Sequence, residues 1–389
     1  MDTSGDQVVS FLGIPSSHLA PVAVFVSYFV LIACLFSLVI PRTLGASYAS
    51  IKSQSQDRRC RRYAAIFGLL TLGSQLHTWY HMIGYMRWSY TNFYQTLPAS
   101  PSPSLRAISF WLLNTSLFTE AWSIVLQPGT PFWISDHITR FTCCWWTFFV
   151  YLSIQRPAPL SSKSSGSSSH LYGSKVGKDK AGQPESSSLT SLKDEKWGNA
   201  SAAAVLLLGQ VVAISVASNI WFVGCVKRGF PIVGDGRVRD VPVKVWGALL
   251  GSSICVGVMP LTVNQPSFLT VLLIMHALLF VPFLPTRLAD GPSSFTLTPT
   301  QVSLLLLVPP VVSSMLFNLP ILTSPSVALR TFLAGNHALR SIGSDAAWCA
   351  FGLVAWASWK VKGPGKISRI VCSLGAFWVG GVGLPLGLD

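Results

Sequence analysis

The stretch LAPVAVFVSYFVLIACLFSLVI, residues 19–40, decides the fold class, because it carries no charged side chain over a length that crosses a bilayer. A helix of about 20 apolar residues spans the hydrocarbon core of a membrane. Similar apolar runs lie near residues 63–84, 107–127, 138–155, 199–226, 243–261, 267–285, 301–321, 343–360 and 367–386. We therefore expect an all-α fold, a polytopic transmembrane helical bundle of about eight to ten spans.

The composition and the placement of charge favour the same class. Half of the 389 residues are hydrophobic and only 11% are charged, yet the net charge is +14. The basic residues cluster in segments 42–62, 227–244 and 360–369, beside apolar runs, as the positive-inside rule describes for cytosolic loops. This pattern predicts an integral protein of the endoplasmic reticulum membrane with a lumenal N-terminus, and no nucleic-acid partner.

A tract rich in serine, glycine, lysine and proline divides the chain. Its composition is typical of a disordered linker, which we place at residues 156–197. Residues 1–155 then form an N-terminal transmembrane half with about four spans, and residues 198–389 a C-terminal half with about four to six. The two halves show no internal repeat of the kind found in many transporters.

Two carboxylates lie inside apolar stretches, Glu120 in LLNTSLFTEAWSIVL (112–126) and Asp345 in SIGSDAAWCAFGLVAWASW (341–359). A charged side chain in hydrocarbon is costly unless it is neutralised or paired, so each is a candidate functional residue. Glu120 lies near the middle of its predicted span, where the structural alternative is pairing with a histidine of the second span. Asp345 lies near the start of its span and is equally well placed to cap a helix.

The segment QLHTWYHMIGYMRWSY, residues 75–90, has the densest set of polar and aromatic side chains. On a helix His77, His81 and Tyr85 are four residues apart and share a face, with Trp88 close to it. One interpretation is an aromatic belt at the membrane interface, and another is a cavity wall whose imidazoles hydrogen-bond a carboxylate. A di-histidine metal pair lacks further ligands nearby in sequence, so we expect no metal and no cofactor.

Other candidate residues flank these segments. Asp136, in PFWISDHITRF (131–141), is best interpreted as the N-cap of the fourth span, although a catalytic role remains open. Asn336, His337 and Arg340 precede Asp345 and either pair with it or face lipid headgroups. The candidate catalytic residues are Glu120, Asp345, Asp136, His77 and His81. The candidate substrate-binding residues are Trp79, Tyr80, Tyr85, Trp88, Asn114, Trp122, Trp133, Asn336 and Trp348.

The motifs that the chain lacks narrow the reaction class. The sequence has no paired-aspartate motif to hold magnesium and a diphosphate, and no glycine-rich phosphate loop. An isolated acid in a dry aromatic cavity suits proton donation to an epoxide or an alkene, because burial raises the pKa of a carboxyl group. Aromatic faces stabilise the cation that follows.

Three segments, HTWYHMIGYMRWSY, LFTEAWSIV with the turn PGTPFW, and RSIGSDAAW, resemble fungal integral-membrane terpene cyclases of meroterpenoid and indole-diterpenoid biosynthesis, of the ascofuranone and paxilline-pathway type. The resemblance implies an enzyme of secondary metabolism that cyclises an epoxidised prenyl chain by acid, without metal. It also implies a lipophilic prenylated substrate from the bilayer and coupling to an upstream epoxidase. On these terms Glu120 and Asp345 are the proton donor and its partner or cation stabiliser, tuned by His77 and His81.

Two other functions are compatible with the residues. In a proton-coupled small-molecule transporter or exporter, the buried acids are coupling sites, and Pro309, Pro310 and Pro320 leave room for a broken helix. A membrane acyltransferase needs an intramembrane histidine near an Asn or Asp. Only Asn336 and His337 qualify, and they lie beside basic residues.

Overall fold

The computed structural model describes residues 18–44, 54–95, 104–127, 130–153, 199–227, 239–263, 265–284, 294–297, 308–309, 311–313, 315–317, 324–360 and 366–380. The predicted linker at 156–197 and most of the predicted span at 301–321 lie outside these residues.

The described chain is helical apart from one short antiparallel ribbon, as the expected all-α class requires. The ribbon pairs β1 (Arg239–Pro242) with β2 (Ser294–Leu297). A 3-10 turn, Val281–Phe283, follows α9. The helices are α1 (Leu19–Leu44), α2 (Gln54–Gln95), α3 (Leu105–Asn114), α4 (Leu117–Val125), α5 (Thr130–Ser153), α6 (Asn199–Val211), α7 (Ile214–Lys227), α8 (Val243–Thr262), α9 (Ser267–Phe280), α10 (Pro325–Ala334), α11 (His337–Lys360) and α12 (Lys366–Gly380).

Two helices of the described chain are long and apolar enough to cross a membrane. They are Leu19–Thr43 within α1, of 25 residues, and Val243–Thr262, of 20 residues. At a rise of about 1.5 Å per residue these segments measure about 38 and 30 Å, at least the thickness of a hydrocarbon core. Helices α6, α7 and α9 are apolar but shorter.

Two of the predicted continuous spans are interrupted, so the sequence expectation was wrong there. The run 107–127 divides into α3 and α4 at Thr115 and Ser116, where the Ser116 side chain accepts a hydrogen bond from the Thr119 amide and caps α4. The run 199–226 divides into α6 and α7 at residues 212–213. Polar side chains accept from backbone amides after both breaks: Ser116 from Thr119, and Asp345 from Ile214 and Ser215.

The beginning of α2 and the ends of α7 and α11 meet at one end of the molecule. Phe222 of α7 lies 5.1 Å from Phe67 of α2 and stacks on Trp356 of α11 at 4.6 Å between ring centroids. Arg59 of α2 donates to the carbonyls of Ser358 and Trp359, which lack partners in the last turn of α11. The three predicted basic segments therefore adjoin helix ends that lie together.

Candidate functional site

The candidate site is arranged along one polar face of α2. His77, His81, Tyr85 and Ser89 follow at intervals of four residues, and their side chains bond to groups on α2 itself, α3, α4 and α11. The prediction that His77, His81 and Tyr85 share a helix face is confirmed. The structure extends this face by one turn to Ser89, which the sequence interpretation missed.

A hydrogen-bonded row of aromatic heterocycles, which we call the histidine chain, joins α2 to α11. The indole Nε1 of Trp348 donates to His77 Nδ1 at 3.0 Å. His77 Nε2 lies 3.1 Å from His81 Nε2, and His81 Nδ1 lies 3.2 Å from His337 Nδ1. The order Trp348, His77, His81, His337 thus uses both nitrogens of the two middle rings.

The indole at one end fixes the protonation of the three imidazoles. Because an indole N–H only donates, His77 Nδ1 must accept and the proton of His77 lies on Nε2. That proton is donated to His81 Nε2, so His81 carries its own proton on Nδ1 and donates it to His337 Nδ1. The remaining proton of His337 lies on Nε2. When all of these hydrogen bonds form, each of the three rings is neutral. An additional proton would have to bind a ring nitrogen that already accepts a hydrogen bond.

Two glycines of α2 allow this close approach of α11. A Cβ atom on Gly84 would lie 2.6 Å from His337 Nδ1, and one on Gly73 would lie 2.7 Å from Cη2 of Trp348. Both distances are well inside van der Waals contact. The two glycines are eleven positions apart, about three helical turns, so they lie on one face of α2. Glycine at these two positions therefore leaves room for Trp348 and His337, the two ends of the histidine chain.

A second network, which we call the Glu120 network, holds the first-turn carboxylate of α4 against α2. Ser89 donates from Oγ to Glu120 Oε2 at 2.5 Å and accepts from the indole Nε1 of Trp111 at 3.3 Å. The Tyr85 hydroxyl lies 3.0 Å from both Glu120 Oε2 and the Leu117 carbonyl. Glu120 therefore pairs with the second predicted span through a serine and a tyrosine, whereas the structural alternative considered from the sequence was a histidine.

The Glu120 network distinguishes the two carboxyl oxygens. Both donors act on Oε2, whereas Oε1 has no hydrogen-bond partner among the described residues. When the group is protonated, the favourable place for the proton is Oε1, because Oε2 already accepts from Ser89. The side chain is half-buried. Glu120 can thus present an acidic O–H while its other oxygen is held in place.

An apolar cluster connects the two networks. Tyr85, Trp133, Ala338 and Leu339 are buried together, and the partly buried residues of α4 and α10 pack against them. Gly84, beneath the His337 ring, immediately precedes Tyr85, whose hydroxyl reaches Glu120. The open end of the histidine chain lies at the level of His81 and Gly84, and the Glu120 network at the level of Tyr85 and Ser89, so the two occupy adjoining turns of α2.

Asp345 lies apart from these groups and has a structural partner. Its two carboxyl oxygens accept from the backbone amides of Ile214 and Ser215, at 3.2 and 2.9 Å, and so cap the first turn of α7. The interpretation that Asp345 caps a helix is thus confirmed, but the capped helix is α7, since Asp345 is the ninth residue of its own helix α11. In the described chain, Glu120 and Asp345 share no hydrogen-bond partner.

Asp136 does not cap a helix, so that prediction was wrong. The helix α5 begins six residues earlier, and Asp136 forms an ion pair with Arg140 at 2.5 Å within the helix. The side chains of Asp136 and Arg140 are 0% and 1% exposed. Arg140 also donates to Ser313 at 3.3 Å. The carboxylate is thus neutralised in the interior by a cation one turn away.

Among the predicted substrate-binding residues, Tyr80 and Trp88 lie close to the two networks. Tyr80 approaches the rings of His81 and His337 edge-on, at 5.1 and 6.2 Å. Trp88 stacks on Tyr85 at 5.9 Å. Tyr80 is two-thirds exposed, so its other face is open.

The remaining predicted binding residues have other neighbours. Trp79 contacts Phe29 of α1, and Trp122 contacts Phe118 and Phe268. Asn114 is exposed and bonds to a carbonyl of its own helix, Trp133 is buried beside His137, and Asn336 caps α11 by accepting from the Ala338 amide at 2.9 Å. Of the two interpretations of Asn336 from the sequence, the pairing with Asp345 is not seen among the described residues.

Across the described residues, no group of three or more His, Cys, Asp or Glu is arranged to hold a metal ion. The reason at the histidine chain is geometric, because His81 turns Nε2 to His77 and Nδ1 to His337, so the three rings share no common point.

Comparison with known proteins identified no relatives: the chain matches no protein-family model, no curated protein and no solved structure.

Proposed function

We propose that the protein is a membrane-bound terpene cyclase that closes the epoxidised prenyl chain of a meroterpenoid or indole diterpenoid by acid, with Glu120 as the proton donor. The observation that carries the proposal is the Glu120 network, which fixes one carboxyl oxygen by two donors and leaves the other open. The sequence resemblance at residues 77–90, 117–125 and 340–348 supports the same activity.

Exposed apolar stripes support a polytopic membrane protein beyond the two membrane-length helices. On α2, five large hydrophobic side chains lie at helical spacing and are 56% to 69% exposed: Leu69, Leu72, Leu76, Tyr80 and Ile83. Contiguous exposed apolar surface of this kind is unfavourable in water and favourable against lipid. The same helix carries its polar face inward, toward the candidate site.

The basic helix ends support a membrane orientation for the site. Arg59 and Lys360 lie at the common end of α2 and α11, which the positive-inside rule assigns to the cytosol. His77 is 18 residues further along α2, about 27 Å, and Ser89 is about 45 Å from Arg59. On this orientation His77 lies near the lumenal edge of the hydrocarbon core of an endoplasmic reticulum membrane, which is about 30 Å thick, and the Glu120 network lies at the level of the lumenal headgroups.

The proposed reaction is an isomerisation. The O–H bond of Glu120 breaks as a new O–H bond forms on the epoxide oxygen, and the C–O bond opens with its electron pair staying on oxygen. Alkene electron pairs then form the new C–C bonds. One proton leaves the final cation, and the carboxylate of Glu120 is returned to its acid form. An oxygen-inserting enzyme must supply the epoxide.

The aromatic side chains near Glu120 fit a cationic intermediate. The Tyr85 hydroxyl contacts the carboxyl group, and Trp88 stacks on the Tyr85 ring. Aromatic faces attract a cation. The absence of a diphosphate-binding motif in the sequence favours protonation over ionisation as the first step.

Microsomes from a yeast expressing the full chain test the activity directly. They are incubated with epoxyfarnesyl-phenol or epoxygeranylgeranyl-indole in the presence of a chelator, and the products are followed by mass spectrometry. We expect a product of unchanged mass that is lost in Glu120→Gln, by at least about 100-fold in rate for a general acid. Ser123→Ala on the exposed side of α4 is the matched control. Full activity of Glu120→Gln refutes the assignment.

A second candidate, a proton-coupled transporter, is favoured by one observation. Two helices are interrupted, and each interruption has a carboxylate at the N-terminal turn that follows it: Glu120 on α4, and Asp345 bound to α7. Discontinuous helices with charged groups at the break are typical of transporter sites. Uptake of a prenylated phenol into proteoliposomes driven by a proton gradient, with no isomer formed, would favour this candidate over the cyclase.

A further inference from the structure

The histidine chain ends in a nitrogen that the protein does not use. His337 bonds to His81 through Nδ1, and within the described part of the chain its Nε2 has no hydrogen-bond partner. The His337 ring is partly exposed, whereas His81 is 6% exposed. The open end of the chain is therefore the one imidazole nitrogen of the three rings that is placed to contact a ligand.

The direction of the hydrogen bonds defines what this nitrogen offers. Trp348 can only donate, so each ring in turn accepts on one nitrogen and donates from the other, and His337 Nε2 bears hydrogen. A chain of aligned hydrogen bonds polarises its members in the same sense and strengthens the terminal donor. His337 therefore offers an N–H group and no basic lone pair.

His337 lies at the N-terminus of α11. It is the first residue of the helix, directly after Asn336, which caps α11 by accepting from the Ala338 amide. The ring lies against Gly84, next to Tyr85, which holds Glu120. An imidazole donor and a carboxyl group therefore lie along adjoining turns of α2.

We propose that His337 is an oxygen-binding residue, a neutral imidazole whose Nε2–H donates to an acceptor oxygen at the reacting end of the ligand. The assignment rests on the proposed function, in which this acceptor is the epoxide oxygen that Glu120 protonates. His337 transfers no proton: its hydrogen bond holds the oxygen while the Glu120 O–H bond breaks and the C–O bond opens. Trp348, His77 and His81 are positioning residues, which fix the tautomer of His337 without contacting the substrate.

The tautomers are measurable without catalysis. In the full-length protein labelled with ¹⁵N-histidine and reconstituted in nanodiscs, NMR distinguishes protonated from bare imidazole nitrogens. We expect His77 and His337 to carry hydrogen on Nε2, and His81 on Nδ1. Trp348→Phe removes the donor and is expected to mix the tautomers, whereas Trp359→Phe, at the far end of α11, is expected to leave them unchanged. A His337 ring protonated on Nδ1 in the wild type overturns the proposal.

A binding comparison tests the acceptor. In the Glu120→Gln background, which blocks turnover, the affinity for epoxyfarnesyl-phenol is compared with that for farnesyl-phenol, which lacks the epoxide oxygen. Loss of one neutral hydrogen bond in His337→Phe is expected to weaken epoxide binding by about 2- to 12-fold and to leave alkene binding unchanged. If the His337→Phe variant still binds the epoxide more tightly than the alkene, the proposed role of His337 is overturned but the proposed function is not. If neither compound binds, the proposed function is overturned together with it.

Discussion

Replacing Gly84 by alanine should displace the His337 ring, whereas the same replacement at Gly68, on the same helix, should not. A Cβ on Gly84 would lie 2.6, 2.7 and 2.9 Å from three atoms of the His337 ring, whereas nothing lies within 4 Å of one on Gly68. The two variants make the same chemical change in one helix. They differ in what the new methyl group meets.

The magnitude follows from three contributions. Alanine is more favourable than glycine in a helix interior by about 1 kcal/mol, and at Gly68 this gain is the whole expected effect. At Gly84 the ring must shift by about 1 Å to reach normal contact, which lengthens its 3.2 Å bond to His81 beyond hydrogen-bond distance. Overpacking costs about 1–3 kcal/mol, and a buried group left unsatisfied costs about 1–3 kcal/mol. The net loss at Gly84 is about 1–5 kcal/mol.

Titration of SDS into mixed micelles gives the free energy of unfolding of both variants under the same conditions. We expect Gly68→Ala to equal or exceed the wild type and Gly84→Ala to fall below it. The NMR resonances of His337 should move in Gly84→Ala only. Equal stability of the two variants, with an unchanged His337 signal, would refute the placement of His337 against α2.

Three further changes test other parts of the structure. Asp345→Asn keeps one acceptor for the two capped amides of α7, so we expect the free energy of unfolding to fall by about 1–2 kcal/mol. The cyclisation rate per folded molecule should be retained, and a stable but inactive variant would instead indicate a catalytic role for Asp345. Arg140→Met removes the cation paired with the buried Asp136 and should lower the free energy of unfolding by about 3–5 kcal/mol in the same titration. Adding Asp136→Leu should restore most of this loss. If the losses of the two single variants simply add in the double variant, the pairing is contradicted. Ser89→Ala removes the shortest hydrogen bond to Glu120 and should lower the cyclisation rate with little change in substrate affinity, so a rate equal to that of the wild type would count against the orienting role of Ser89.

The sequence alone predicted the features that depend on local pattern. The apolar run at 19–40 is a helix of membrane length, and the spacing of His77, His81 and Tyr85 places them on one face, because helical periodicity depends only on neighbours along the chain. Glu120 was identified by its apolar surroundings, which are also local. These parts of the candidate site needed no knowledge of the fold.

Only the tertiary structure decided which groups meet. Asp345 caps α7 across 130 residues of sequence, and His337 joins His81 across 256, so no window along the chain contains both partners. A hydropathy average along the sequence does not detect the helix breaks before α4 and α7, because one or two residues barely change the average. Their backbone groups are satisfied by side chains, some of them remote in sequence, and such satisfaction exists only once the helices have packed.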